Sequence, residues 1–175
     1  MKRFARRPAR IVATGAVAVG AALTLSGCVL ASPAVTYDPY AASDGSAGSI
    51  TDPATNSTIK LENFFVVTSA KGQPGSLVGA VVNTGKSNVT VQLSVADQPG
   101  GSSIGQTSVA AAPGAIAQVG PAGTALTLGS VPQAPGSVLN LVAKTNGGGS
   151  IHFTVPVLAA SGEYASLTPT AAANG

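Results

Sequence analysis

Few residues in this chain can do chemistry. There is one cysteine, Cys28, one histidine, His152, and one methionine, Met1. Six carboxylates are scattered at Asp38, Asp44, Asp52, Glu62, Asp97 and Glu163. A serine nucleophile needs a base that is itself held by a third group. His152 has no local partner of that kind, and no G-x-S-x-G stands in the chain. The carboxylates form no pair at the short fixed spacing that a glycosidase site or a calcium loop requires. The GGGS at 147–150 lacks the lysine and helix that follow in a phosphate loop. From these residues the expectation is no catalytic residue, no metal ligand and no cofactor, hence a protein that is not an enzyme.

The one thiol has an informative setting. MKRFARRPAR is a basic segment, and IVATGAVAVGAALTLS follows it as sixteen residues without charge. A membrane-spanning helix needs about 20 apolar residues. The shorter run fits the hydrophobic region of a secretory signal peptide, with an uncut membrane anchor as the alternative. Arg6-Arg7 is a twin arginine, but Pro8-Ala9-Arg10 follows, so a plain basic leader is the reading preferred. Leu25-Ser26-Gly27-Cys28 closes this run and resembles the bacterial lipobox. In that motif the thiol attacks a diacylglyceryl donor, and the small residues before it admit the signal peptidase. The resemblance implies cleavage before Cys28 and two or three acyl chains on the new N-terminus. Each buried methylene contributes about 0.8 kcal/mol, so two or more chains give stable anchoring. A disulfide within the chain is impossible, because Cys28 has no partner.

Charge narrows the choice of partner. The net charge of +3 belongs to the leader, where five of the nine basic residues occupy the first ten positions. Beyond residue 27 only Lys60, Lys71, Lys86 and Lys144 face the six carboxylates, a net charge of −2. Arginine is absent after Arg10, so the clustered cations of a nucleic-acid binder are missing. Charged residues make up 9% of the chain, against roughly 25% in a typical soluble domain. Asp38-Pro39-Tyr40 superficially resembles a DNA-methyltransferase motif, but it lacks the second proline and lies in a Ser/Gly/Ala-rich stretch.

The elements that must position any site are strands. Residues 28–57 are rich in Ala, Ser, Gly and Pro and read as a lipidated N-terminus and flexible tether, with an edge strand around 49–51. IKLENFFVV has strand composition. LVGAVVN (77–83) is apolar on both faces, as a central strand is. VTVQLSV alternates, with Val89, Val91, Leu93 and Val95 on one face and Thr90, Gln92 and Ser94 on the other. IGQTSVA, AIAQV and LTLGS are shorter candidates. SVLNLVAKT and IHFTVPVL form the last pair across NGGGS. Ile151, Phe153, Val155 and Val157 take the inner side, His152 points away, and Pro156, lacking a donor, puts that strand at a sheet edge or limits it there to one-sided pairing. No apolar repeat of 3.6 residues follows residue 28. The expected fold is all-β, an immunoglobulin-like sandwich over 58–158, with a cupredoxin-like Greek-key barrel as the alternative. Residues 159–175 read as a disordered tail.

Taken together, the LSGC box, Tyr37, Pro39, Ser43, Asp44 and Gly45 in the tether, LENFFVVTSAKGQPGSLVGAVVNTG (61–85) and FTVPV resemble small actinobacterial cell-envelope lipoproteins, the LpqE-like group. That resemblance implies location and fold more than activity. The expectation is a lipoprotein on the outer face of the cell membrane, held through lipid on Cys28. It acts as a non-catalytic binding or scaffold module for an unknown envelope protein or ligand. The alternative is a metal-handling accessory protein of the copper-chaperone kind. A soft Cu(I) site needs Met, Cys or His, and the mature chain has no Met and no free thiol.

Overall fold

The computed structural model describes residues 43–169. Nine strands follow in chain order: β1 (Ser46–Asp52), β2 (Ser57–Thr68), β3 (Gly75–Asn83), β4 (Val89–Ala96), β5 (Ser103–Ala111), β6 (Ile116–Val119), β7 (Leu126–Leu128), β8 (Val138–Thr145) and β9 (Ser150–Ala159). A short 3-10 helix, Gly162–Leu167, comes last. The described residues are therefore almost wholly β, the class that the alternating sequence requires.

The strands run β5-β4-β8-β9-β2-β3-β6, with β1 beside β2 and β7 beside β3. β9 belongs to both halves of this order. It is antiparallel to β8 from Ser150 to Pro156, and from Val157 to Ala159 it lies parallel to β2. The change of partner falls at Pro156, where the missing N–H leaves no donor for a second ladder. At the far side β5 comes close to β7: a side chain at Gly105 would stand 2.4 Å from Leu128. Because one strand serves both halves and the two ends approach, the sheet is a nearly closed barrel. The all-β class expected from the sequence is the one found, and the nearly closed sheet matches its barrel alternative.

Alternation fills the interior. Val89, Val91, Leu93 and Val95 of β4 are buried, while Thr90 and Gln92 are exposed. β3 has the central position that its apolar composition suggests, with β2 on one side and β6 and β7 on the other. Ile59, Leu61, Phe64, Leu77, Leu139 and Leu141 complete the core with no exposed surface. Among the described residues no buried side-chain nitrogen or oxygen lacks a partner.

A bulge sets the largest core residue. The β2–β3 register shifts between Glu62 and Phe65, so Asn63 and Phe64 stand opposite Gly79. Asn63 takes φ 54°, a left-handed conformation that asparagine tolerates better than most residues. That turn sends the Phe64 ring inward, edge-on to Phe153 at 6.4 Å. Gly79 is glycine because a Cβ there would lie 2.6 Å from the ring.

Both ends of the domain carry more order than composition suggests. β1 spans the end of the expected tether and includes the edge strand anticipated around 49–51. Its partner β2 holds it antiparallel from Ser46 to Asp52. In the expected tail, the 3-10 helix brings Tyr164 edge-on to Phe65 at 5.5 Å, and the Tyr164 hydroxyl donates to Asp44. Phe65 is the apolar surface that draws this segment down.

Candidate functional site

The outward residues of β4, β8 and β9 share one face of the barrel. Register places Ser94 beside Val142 and Val142 beside His152, and β5 adds Gln106 beside Ser94. This makes one row across four strands: Gln106, Ser94, Val142, His152. The next row pairs Gln92 with Lys144, and on the other side Ala96 pairs with Asn140 and Asn140 with Thr154. His152 is exposed and points away from the core, as the alternation of β9 predicts.

Two clefts meet on this face, sharing Ser94, Val142 and His152. One, of about 310 Å³, runs from His152 and Thr154 to the Gln98–Gly101 turn. Its lining is mainly apolar, with Ala96, Pro99, Val142 and Phe153 contributing. The other, of about 250 Å³, is bordered by Gln92, Gln106, Lys144 and His152. Among the described residues, neither is lined by a carboxylate. Asp97, which stands in the chain between the lining residues Ala96 and Gln98, is occupied elsewhere: its Oδ1 accepts from the Gln133 amide at 2.7 Å. The acid partner that would make His152 a catalytic base is therefore not supplied by either cleft. Among the described residues no three His, Cys, Asp or Glu side chains gather into a metal cluster.

The perturbed titrating groups lie away from this face and serve the scaffold. Asp52 is fully buried at the end of β1. Its Oδ1 accepts from the Ala54 N–H, the Thr55 N–H and the Thr55 hydroxyl, each at 3.0 Å. Its Oδ2 accepts from the Gly147 N–H at 3.1 Å. One carboxylate thus ties the β1–β2 turn to the β8–β9 turn. The Thr145 hydroxyl beside it, with the Thr55 and Gly147 donors, holds Asp52 below the usual carboxylate value against the opposing effect of burial. The Tyr164 phenol is pushed up to about 12, first by its hydrogen bond to Asp44.

Leu25, Ser26, Gly27 and Cys28 lie outside the described residues, so the lipobox reading rests on sequence. Gln92 and Ser94 were legible as outward residues of β4. Their meeting with Lys144 and His152 depends on β4–β8–β9 register, for which the sequence carries no signal.

This barrel is similar in fold to PCuAC domains. The solved structures it resembles include the copper-bound PCuAC domain from PmoF2, at 15% identity and a TM-score of 0.50, over 65% of this chain and 98% of that one. The apo PCuAC domain from PmoF1 is more distant, at 17% identity and a TM-score of 0.47, over 58% of this chain and 93% of that one. No protein-family model and no curated protein matches the chain.

Proposed function

We propose that this chain is a membrane-anchored extracytoplasmic lipoprotein whose barrel is a non-catalytic binding module of the cell envelope. The anchor reading rests on LSGC closing a sixteen-residue apolar run behind a basic leader. The observation that carries the binding reading is the pair of clefts joined at His152, which offer polar side chains and an apolar floor but no acid. Concave surface with a few convergent polar groups is what small-ligand sites are built from. A general acid–base pair is what they would need to be catalytic. Detergent-phase partitioning of the expressed chain tests the anchor. Wild type enters the detergent phase, Cys28→Ser stays aqueous, and equal partitioning of the two removes the lipid.

A second reading, metal handling, draws its support from the likeness in fold to a domain described as copper-bound. The residues of this chain fit copper poorly. His152 is the one imidazole, Met1 the one thioether and Cys28 the one thiol. Around His152 the clefts offer amides, hydroxyls and an ammonium, which are weak or unsuitable ligands for a soft ion. A single side chain does not make a copper site. Copper competition titration separates the two readings. Binding no tighter in wild type than in His152→Ala favours the binding module, whereas a tight one-to-one site lost in His152→Ala favours metal handling.

A further inference from the structure

We infer that the groove across β4, β8 and β9 binds a small organic anion, with its carboxylate or phosphate at Lys144 and His152 and its less polar body under the Gln98–Gly101 turn. This rests on the binding-module reading and names the ligand class of that site.

Three features of the groove lead there. The first is charge. Lys144 is one of four lysines past residue 27 in a sequence whose carboxylates there outnumber its cations, yet it borders a cleft that holds no carboxylate. No carboxylate among the described residues lines the cleft beside this ammonium, so the cleft presents a positive charge to an anion from solution. The second is donor geometry. Lys144 stands beside Gln92 across the β4–β8 ladder, and His152 stands beside Val142 one row further on. Gln92, Gln106 and His152 therefore add N–H donors around the same 250 Å³ that Lys144 borders. Charge-assisted bonds of this kind are about twice as strong as neutral ones. The third is the change of character along the groove. Past His152 the walls gain Ala96 and Pro99 in place of Gln92, Gln106 and Lys144, so the half that lies under the turn favours apolar atoms. A bare inorganic ion satisfies only the first half, and a neutral apolar molecule only the second.

Heteronuclear NMR titration of the full-length chain in mild detergent tests this with three probes. Benzoate carries both the anion and the body, benzyl alcohol the body alone, and inorganic phosphate the charge alone. Benzoate is expected to shift the amide signals of Gln92, Lys144 and His152, and to bind at least about tenfold more tightly than benzyl alcohol, roughly the 1.4 kcal/mol of one charged hydrogen bond. Lys144→Gln, an exposed substitution that leaves the core untouched, should bring benzoate down to the level of benzyl alcohol with the rest of the spectrum unchanged. Equal affinity for benzoate and benzyl alcohol overturns the anion while leaving a binding groove. Phosphate binding as tightly as benzoate overturns the apolar half. No shift on this face with any probe overturns the ligand class altogether, and it leaves the partitioning result for Cys28 unaffected.

Discussion

Replacing Gly79 by alanine and Phe64 by alanine, singly and together, puts the bulge at the centre of the barrel to a quantitative test. Phe64 has no exposed surface, and a Cβ at position 79 would stand 2.6–2.8 Å from three atoms of its ring. Phe64→Ala removes a fully buried ring and should cost about 3–5 kcal/mol. Gly79→Ala inserts a methyl where the ring already is. Overpacking of that kind costs about 1–3 kcal/mol. Losing the extra freedom of an unfolded glycine offsets only about 0.4–1 kcal/mol, so the clash wins and the variant is less stable. In the double variant the alanine methyl occupies part of the space the ring has left. The two costs should then fall short of adding by about 1–2 kcal/mol, well above the 0.3–0.5 kcal/mol within which independent sites add. Urea unfolding of the four proteins, followed by circular dichroism and compared at constant slope, reads this coupling. Additive costs, or a Gly79→Ala protein as stable as wild type, would show that residue 79 and the ring do not compete for the same volume.

Asp52 gives a pH signature. Its folded value is depressed, so its contribution is present above the unfolded value near 3.8 and is lost as pH falls through the folded one. The melting temperature should therefore fall on acidification more steeply in wild type than in Asp52→Asn, and parallel curves refute the assignment. Gly147→Ala places a Cβ 2.2 Å from the Asp52 carboxylate and should lower the melting temperature by several degrees, where Gly148→Ala, with only Pro53 near, reports the cost of positive φ alone. Alkaline spectrophotometric titration should show one of the three tyrosines ionising late, near pH 12, and Asp44→Asn should return it to the ordinary range. Tyr164→Phe keeps the ring on Phe65 and should preserve the fold as measured by hydrogen exchange of β2, whereas Tyr164→Ala should expose that strand.

Sequence carried the strands well and their arrangement poorly, for identifiable reasons. VTVQLSV and IHFTVPV alternate cleanly, and β4 and β9 stand where period two places them. LVGAVVN is apolar on both faces, and β3 is central. Pro156 pointed to an edge strand or to one-sided pairing. β9 is instead interior, between β8 and β2, and only the exchange of partner at Pro156 keeps its pairing one-sided there, which joins the two halves of the sheet into a barrel. The 3-10 helix over 162–167 leaves no mark in the sequence because its anchor is tertiary: Ala, Ser and Gly stand near Tyr164 locally, and only Phe65, far away in sequence, makes packing it worthwhile. The groove was half visible. His152 was correctly turned outward, but lone polar residues on separate strands acquire meaning only from register. The Asp52 link between two turns is hidden for the same reason, since its Gly147 donor lies in another hairpin.

Whether Cys28 carries lipid decides in which compartment the groove meets its ligand, and intact-mass spectrometry of the membrane fraction addresses it directly. Wild type should begin at residue 28 and carry diacylglyceryl mass, with Cys28→Ser recovered unmodified and uncut. A wild-type protein that keeps its leader, or an unmodified Cys28 thiol, would contradict the lipoprotein reading and move the binding groove to a different compartment.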